Sequence, residues 1–198
     1  LVYISVNGCA IYQDHKLLAM FDFLKPDPEK LCREIEKFPA TEYIIGSLKG
    51  LHGNPRNEKY RQFLLEEDPS SVYFIDGYAD IKNIKDITKI TLFHPVDADQ
   101  FYSHFANKWG DVCNIATSGV RWLDFTNGTK GQALEYVADL YNISLEDTLV
   151  LGDNFNDIPM FEIAGYKTAM PTSHPLVKKK VDQVISDPYS FLLDYLDS

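Results

Sequence analysis

The sequence contains 198 residues, of which 45% are hydrophobic and 24% are charged, so it can bury one good core or two small ones. Its formal net charge of −10 argues against nucleic acids and acidic membrane surfaces as partners, because both require a positive protein surface. No apolar run is long enough to cross a membrane, and Cys9, Cys32 and Cys113 form no CxxC pair. We therefore expect buried thiols and a cytoplasmic protein.

The first two thirds of the chain carry the signals of an α+β domain with many adjacent strands. Asp27 and Pro28 have the residue types of an N-cap and a first helical position. The apolar patterns predict strands over 2–6, 9–12, 16–21, 42–48, 71–75, 89–93, 112–117 and 120–125, and helices over 28–38, 58–66 and 98–109. Residues 49–57, rich in Gly, Asn and Pro, are predicted to form a loop.

The last third changes to a regular alternation of helix and strand with short connections. This pattern is typical of a doubly wound parallel sheet. Helices are predicted over 132–141, 158–164, 175–181 and 189–195, and strands over 148–151, 166–170 and 183–185. We place the domain boundary in the polar hinge 126–129.

An acidic loop follows the short apolar strand near residue 150. Its sequence is Gly152-Asp153-Asn154-Phe155-Asn156-Asp157. Ligands of open α/β sheets bind at the carboxyl ends of the strands, and Mg²⁺ prefers oxygen ligands. Taken alone, the loop is equally consistent with a metal site and with a cap for the following helix, since Asp157 precedes Ile158-Pro159.

A second polar motif, Gly128-Thr129-Lys130-Gly131, lies at the start of a predicted helix. A lysine beside the free N–H groups of a helix N-terminus can hold a phosphate. The motif alone is weak, because a solvated lysine is commoner at a helix start, and the spacing of a P-loop is absent.

Several motifs occur in a characteristic order along the chain. They are Asn7-Gly8 before a hairpin, Lys130-Gly131-Gln132-Ala133-Leu134, the acidic loop with Met160, Ala164-Gly165, Ala169-Met170 and Pro175-Leu176-Val177-Lys178. The set resembles the Cof-type branch of the haloacid dehalogenase (HAD) superfamily. The resemblance implies an α/β fold: a Rossmann-like core, here partial, with a large inserted α+β cap. It also implies a Mg²⁺-dependent phosphatase of sugar phosphates or other small phosphate esters.

The resemblance also implies domain bounds and residue roles. Residues 1–9 would be a residual core strand and hinge, 10–126 the cap, and 127–198 the C-terminal part of the core. The resemblance implies that Lys130 contacts the phosphoryl group and neutralises the nucleophile's charge, and that Asp153 ligates Mg²⁺. It implies that Asp157, a second catalytic and metal-site acid, orients the waters or the ligands of the metal. Asn156 would lie against the phosphate and metal site, and Asn7 near the pocket mouth. The expected partner is a small phosphorylated metabolite; the oligomeric state is not predicted.

The sequence departs from the family pattern in one respect. The family's nucleophile lies in a DxDGT-like motif upstream of Asn-Gly, and none of the six residues before Asn7 is acidic. Asp97 and Asp99 have the spacing without Gly-Thr, and we interpret them as helix-capping residues; Asp124 begins a similar run with one residue too many. Lys130 and Mg²⁺ can stabilise charge but cannot replace a nucleophile. We therefore expect the chain as given to be inactive, with its N-terminal segment absent.

Three hypotheses follow. The first is a Cof-type phosphatase that is active when complete. The second is a non-catalytic binding or regulatory relative, and the third is an acidic α/β domain without catalytic ancestry. Substrate choice is assigned to the cap, where the predicted loop 49–57 is a candidate contact zone.

Overall fold

The computed structural model describes residues 1–67 and 71–196, which form two compact units, Leu1–Gly128 and Thr129–Ser198. Within these described residues, no helix has the length and apolarity that crossing a bilayer requires. The three-part division at residues 9 and 126 stays a prediction. The structure has the mixed α/β architecture that the sequence predicts.

The first unit is built on alternating strand patterns with helices between them. Its strands are β1 (Val2–Ser5), β2 (Ala10–Gln13), β3 (Lys16–Met20), β4 (Glu42–Ser47), β5 (Gly50–Gly53), β6 (Val72–Phe74), β7 (Ile87–Phe93), β8 (Asn114–Thr117) and β9 (Trp122–Thr126). Its helices are α1 (Pro28–Ile35), α2 (Glu58–Glu67), α3 (Tyr78–Ile81) and α4 (Tyr102–Trp109). The predicted cap of α1 is confirmed, because the Asp27 side chain accepts a hydrogen bond from the Lys30 amide at 3.0 Å.

A six-stranded sheet in the order β6-β5-β4-β7-β9-β8 forms the centre of this unit. Only the β5–β6 pair is parallel among these described strands. Successive side chains of a strand point to opposite faces. Ile90 and Leu92 of β7 accordingly enter the main core, together with residues of α1, α3 and α4. Phe93 enters a smaller cluster with Tyr60 and Leu64 of α2.

The strands β1, β2 and β3 form a separate antiparallel sheet. The predicted hairpin is confirmed, and its turn residues Asp14 and His15 have φ values of 49° and 64°, as a tight hairpin turn requires. β1 pairs with β2 in antiparallel fashion. The 3₁₀ turn Val6–Gly8, in which Asn7 is left-handed at φ 56°, reverses the chain between them.

The second unit contains the predicted alternation of helix and strand. Its elements are α5 (Lys130–Tyr141), β10 (Leu149–Gly152), α6 (Ile158–Phe161), β11 (Tyr166–Ala169), α7 (Pro175–Lys178), β12 (Gln183–Val184) and α8 (Pro188–Leu196). The three strands are parallel in the order β10-β11-β12, which confirms the predicted parallel sheet. Val150, Phe161 and Val177 form its buried core.

The prediction of a loop over 49–57 is wrong for its first half, which contains β5. Glycine there permits close contact between strands, since a Cβ on Gly53 would lie 2.5 Å from Cδ1 of Ile44. The second half closes on a buried carboxylate: Glu42 accepts hydrogen bonds from the amides of Arg56 and Asn57, each at 2.6 Å. The short helix α3 was not predicted either.

Candidate functional site

The acidic loop is organised around the carboxylate of Asp157, which is 1% exposed. Its Oδ2 atom accepts hydrogen bonds from the backbone amides of Asp153 at 2.8 Å and Asn154 at 3.0 Å. The side chain makes no cap for α6, the helix that follows it. The carboxylate instead completes a capping box with Asn154 at the start of the 3₁₀ turn Phe155–Asp157, which leads directly into α6. The helix-cap interpretation is therefore confirmed for this turn and not for α6 itself.

Gly152 makes this arrangement sterically possible. A Cβ placed on Gly152 would lie 2.6 Å from both Cγ and Oδ2 of Asp157, closer than side-chain atoms approach one another. The strand β10 must therefore end in glycine for the carboxylate to occupy its position. The requirement for glycine at position 152 thus links the sequence at the end of β10 to the conformation of the acidic loop.

Lys130 is the first residue of α5 and is held by the capping residues around it. Thr129 and Gln132 form a reciprocal capping box, in which the Thr129 hydroxyl accepts from the Gln132 amide at 3.1 Å. The next residue, Gly131, touches the backbone of α6, since a Cβ there would lie 2.5 Å from the Pro159 carbonyl oxygen. The start of α5 thus packs closely against α6.

The lysine and the buried carboxylate form an ion pair. The Lys130 Nζ lies 2.5 Å from Oδ1 of Asp157, and the Lys130 side chain is 32% exposed. The structure therefore brings together two of the predicted site residues, 27 positions apart in the sequence. The carboxylate thus anchors the ammonium of a side chain that is partly exposed.

The remaining predicted residues of this unit lie on the same loop. Asp153 is exposed, and Asn156 lies in the 3₁₀ turn Phe155–Asp157. Within the described residues there is no group of three or more His, Cys, Asp and Glu side chains arranged to hold a metal. One exposed carboxylate at the end of a strand nevertheless fits Mg²⁺, which keeps several waters and commonly uses one or two protein carboxylates with substrate phosphate.

Asp153 and Asp157, the two acids that the sequence assigned to the metal, have different surroundings in the structure. Both oxygens of Asp157 already accept hydrogen bonds from Lys130 and the loop amides. Its observed contacts therefore position the lysine and the loop. Metal ligation by Asp153 and Asp157, and the place of Asn156 against the phosphate, stay predictions.

Asn7 lies in the first unit, where its side-chain amide donates to Oδ2 of Asp124 at 3.0 Å. Its predicted place near the pocket mouth stays a prediction. Asp97, the other acidic run considered in the sequence, caps locally: its Oδ1 accepts from the Asp99 amide at 2.9 Å.

Asp124 is the centre of a buried polar cluster that the sequence interpretation missed. It is 2% exposed, and its carboxylate accepts from Thr91 at 2.6 Å, Ser118 at 2.9 Å and Lys89 at 3.1 Å. The signal was present in the sequence, because Lys89, Thr91 and Asp124 alternate with apolar residues in two predicted strands. Alternation places such residues on one face but does not say that the strands are neighbours.

The three cysteines are free and buried, as predicted. Burial raises the pKa of the Cys9 thiol, and burial raises the pKa of Cys113 to about 12. A thiol is a nucleophile only when ionised. The thiols of Cys9 and Cys113 are therefore not suited to nucleophilic chemistry at neutral pH.

Comparison with known proteins relates this architecture to a family. Residues 1–190 match the family described as haloacid dehalogenase-like hydrolases. The chain is 47% identical over 78 residues to the phosphoserine phosphatase of Methanocaldococcus jannaschii, a match that covers 39% of this chain and 36% of that protein. The chain spans less than two thirds of the length of the curated relatives it matches.

Two solved structures share the fold over almost the whole chain. SMU.1108c from Streptococcus mutans superposes with a TM-score of 0.84 at 19% identity, covering 100% of this chain and 77% of that chain. The HAD subclass IIB sugar phosphatase BT4131 superposes with a TM-score of 0.81 at 18% identity, covering 99% and 75%. These likenesses establish a HAD-type α/β fold. The chain belongs to the haloacid dehalogenase-like hydrolase family.

Proposed function

We propose that the chain is part of a Mg²⁺-dependent phosphatase that hydrolyses small phosphate esters, such as sugar phosphates. The observation that carries this proposal is the Lys130–Asp157 ion pair beside exposed Asp153, at the carboxyl end of β10. A partly exposed ammonium and a metal-binding carboxylate are the groups that stabilise the charge of a phosphoryl group during transfer.

Each residue has a defined task in this proposal. Lys130 binds a phosphoryl oxygen and neutralises negative charge, while Asp157 holds the ammonium in place and orders the amides of the loop. Asp153 holds Mg²⁺, which would supply electrostatic stabilisation to the transferring group when bound. The resemblance assigns the attack on phosphorus to a carboxylate of a DxD-type motif, a motif that does not precede Asn7 in the 198 residues given.

Equilibrium binding tests the metal and phosphate roles separately from turnover. Calorimetric titration with Mg²⁺ is expected to show saturable binding that Asp153→Ala weakens by about tenfold or more. The matched control is Asp147→Ala, which removes an exposed carboxylate from the same unit. Equal Mg²⁺ affinity in the wild type and Asp153→Ala would refute the metal site.

Inorganic phosphate is the probe for Lys130. Lys130→Met is expected to weaken phosphate binding by about tenfold, since a charge-assisted hydrogen bond contributes about 1.5–3 kcal/mol. Lys179→Met removes an exposed lysine elsewhere in the unit and is expected to have no effect. Unchanged phosphate affinity in Lys130→Met would overturn the assignment.

Turnover is measured on the protein expressed from its complete gene, as phosphate release from a panel of sugar phosphates with Mg²⁺. We expect activity with at least one ester and none after chelation of the metal. Binding of Mg²⁺ and phosphate without hydrolysis of any ester would instead favour a non-catalytic member of the family.

A further inference from the structure

We propose that the first unit contains a ligand site of its own, a cavity between the start of α1 and the segment 82–86 that binds a free apolar α-amino acid as a zwitterion. The cavity has a volume of about 460 Å³. Its lining comes from residues 22–24, 27–29, 81–82 and 84–87. All of these residues lie within Leu1–Gly128, so the inference does not rest on the proposed phosphatase function.

The lining carries charges of both signs, and three of them have no partner in the protein. Lys82 and Glu29 pair with each other at 3.5 Å. Asp22, Asp86 and Lys85 are exposed lining residues. In the part of the chain that the structure describes, these three side chains form neither an ion pair nor a hydrogen bond. Two carboxylates and one ammonium are therefore left to contact a ligand.

The two carboxylates lie close to each other. The Phe23 amide donates a hydrogen bond to the Ile87 carbonyl at 2.7 Å, which brings together the residues before them, Asp22 and Asp86. Burial and the negative charge of Asp86 raise the pKa of Asp22, so the two groups repel each other. An ammonium group has three N–H donors and can bind both carboxylates at once, which would relieve this repulsion.

Lys85 provides the group of opposite charge. It belongs to the same lining but pairs with neither carboxylate, so its ammonium can bind an acidic group of the ligand. A simple amine would leave Lys85 unpaired, and a simple acid would leave Asp22 and Asp86 unpaired. A ligand with one ammonium and one carboxylate satisfies both kinds of group and adds no net charge to the cavity.

The sequence places the two kinds of charge next to each other. Lys85 and Asp86 are consecutive residues, so a ligand that binds both must carry its own two charges close together. An α-amino acid carries the ammonium and the carboxylate on one carbon atom. Within a peptide these groups are consumed by the amide bonds or stand at opposite ends of the chain. The spacing therefore favours a free amino acid over a peptide.

The uncharged part of the lining fits an apolar side chain. Phe23 and Ile87 are buried, Ile84 is half-buried, and Leu24 is 72% exposed. The Leu24 amide donates to Oδ1 of Asn127 at 2.7 Å, which fixes the backbone that carries this exposed side chain. Contact with an aliphatic or aromatic ligand side chain would remove Leu24 and Ile84 from water. Pockets for small molecules typically enclose about 300–1,000 Å³, so a single amino acid suits the volume.

The test is equilibrium binding of amino acids to the full chain, measured by calorimetry. We expect saturable binding of L-leucine or L-phenylalanine. N-Acetyl-L-leucine lacks the ammonium, L-leucinamide lacks the carboxylate and glycine lacks the side chain, and each should bind about tenfold more weakly than L-leucine. Absence of binding of both L-leucine and L-phenylalanine at millimolar concentration, or equal affinity for L-leucine and L-leucinamide, would overturn the proposal.

Two variants assign the ends of the ligand to their partners. Asp22→Asn and Lys85→Gln should each weaken L-leucine binding about tenfold, because each removes one charge-assisted contact. Lys85→Gln should not weaken the binding of L-leucinamide, which has no carboxylate to lose. Asp22→Asn should likewise not weaken the binding of N-acetyl-L-leucine. A purely structural effect of either substitution would instead lower the affinity for all of these compounds.

The matched controls are Asp76→Asn and Lys16→Gln, which remove exposed charges of the first unit outside the cavity. Both should bind L-leucine like the wild type, and circular dichroism checks that every variant is folded. Unchanged L-leucine affinity in folded Asp22→Asn and Lys85→Gln would contradict the assignment. Failure of the phosphate-binding test at Lys130 would leave the amino-acid result intact.

Discussion

The two units each bury an aspartate against a lysine, but they assemble the pair differently. In the second unit Asp157 binds the amides three and four residues before it, and Lys130 lies on the neighbouring helix. In the first unit the Asp124 carboxylate accepts hydrogen bonds from Thr91 and Lys89, 33 and 35 residues away, and from Asn7, 117 residues away. The bonds between Asp157 and its loop amides are encoded by a contiguous motif, whereas the Asp124 cluster depends on strand register.

The largest expected effect is on the non-local cluster. Asp124→Ala leaves Lys89 without its buried partner, and breaking such a pair costs about 3–5 kcal/mol of the free energy of unfolding. Both tryptophans, Trp109 and Trp122, lie in the first unit, so urea unfolding followed by tryptophan fluorescence reports on it. Asp111→Ala, at an exposed position, is the control. Equal stability of the two variants would mean that the cluster contributes little.

The local cluster is expected to be less sensitive. Asp157→Ala should cost about 2–3 kcal/mol, because Lys130 is partly exposed and recovers hydration while two loop amides lose their acceptor. The measurement is hydrogen exchange, which should accelerate at the amides of Asp153 and Asn154. Asp147→Ala should leave both rates unchanged. Full protection of these amides in Asp157→Ala would show that the loop is held by other contacts.

Steric fit at the end of β10 is expected to contribute about 1–3 kcal/mol. Gly152→Ala places a methyl group against the Asp157 carboxylate and should lower the free energy of unfolding of the second unit by that amount. The double variant Gly152→Ala/Asp157→Ala removes the clash, so its loss should be smaller than the sum of the single losses. Gly77→Ala is the control, since nothing lies within 4 Å of a Cβ there. Additive losses would argue against the clash.

The smallest effect concerns a third buried carboxylate, Glu34, whose lysine partners are more exposed than those of Asp124 and Asp157. Hydrogen bonds from Lys108 and Lys37 lower the pKa of Glu34 from 4.5 to about 2. A lowered pKa contributes stability above pH 4.5 that is lost as the pH falls toward 2. Solvent screening limits this contribution to about 1 kcal/mol. Glu34→Gln should flatten the pH dependence of the melting temperature in that range; an unchanged slope would contradict the assignment.

The sequence predicted the second unit well because its signals are local. Apolar runs, capping residues and glycines lie next to the elements they define, and the order of motifs around Lys130 and Asp153 indicated the family. The orientation of the Asp157 side chain was not predicted, because the residue pattern does not show whether an aspartate caps the helix that follows it or the turn in which it lies.

The first unit was predicted as a set of elements and not as a site. Lys89, Thr91 and Asp124 stood in predicted strands, but β7 and β9 are neighbours through pairing across more than thirty residues. Neither the alternation of polar and apolar residues nor strand propensity specifies the register between β7 and β9. The strand β5 was missed for the converse reason, since its glycines indicate a loop in isolation and are required by close strand contact in the sheet.

The contact between Gly152 and Asp157 also has an evolutionary consequence. The two positions form one steric unit, so neither can change freely while the other is retained. Among homologous sequences, a side chain at the position of Gly152 is expected only where the position of Asp157 holds a smaller residue. Glycine at the position of Gly152 is therefore expected wherever the carboxylate of Asp157 is present. The two residues should be gained or lost together in evolution.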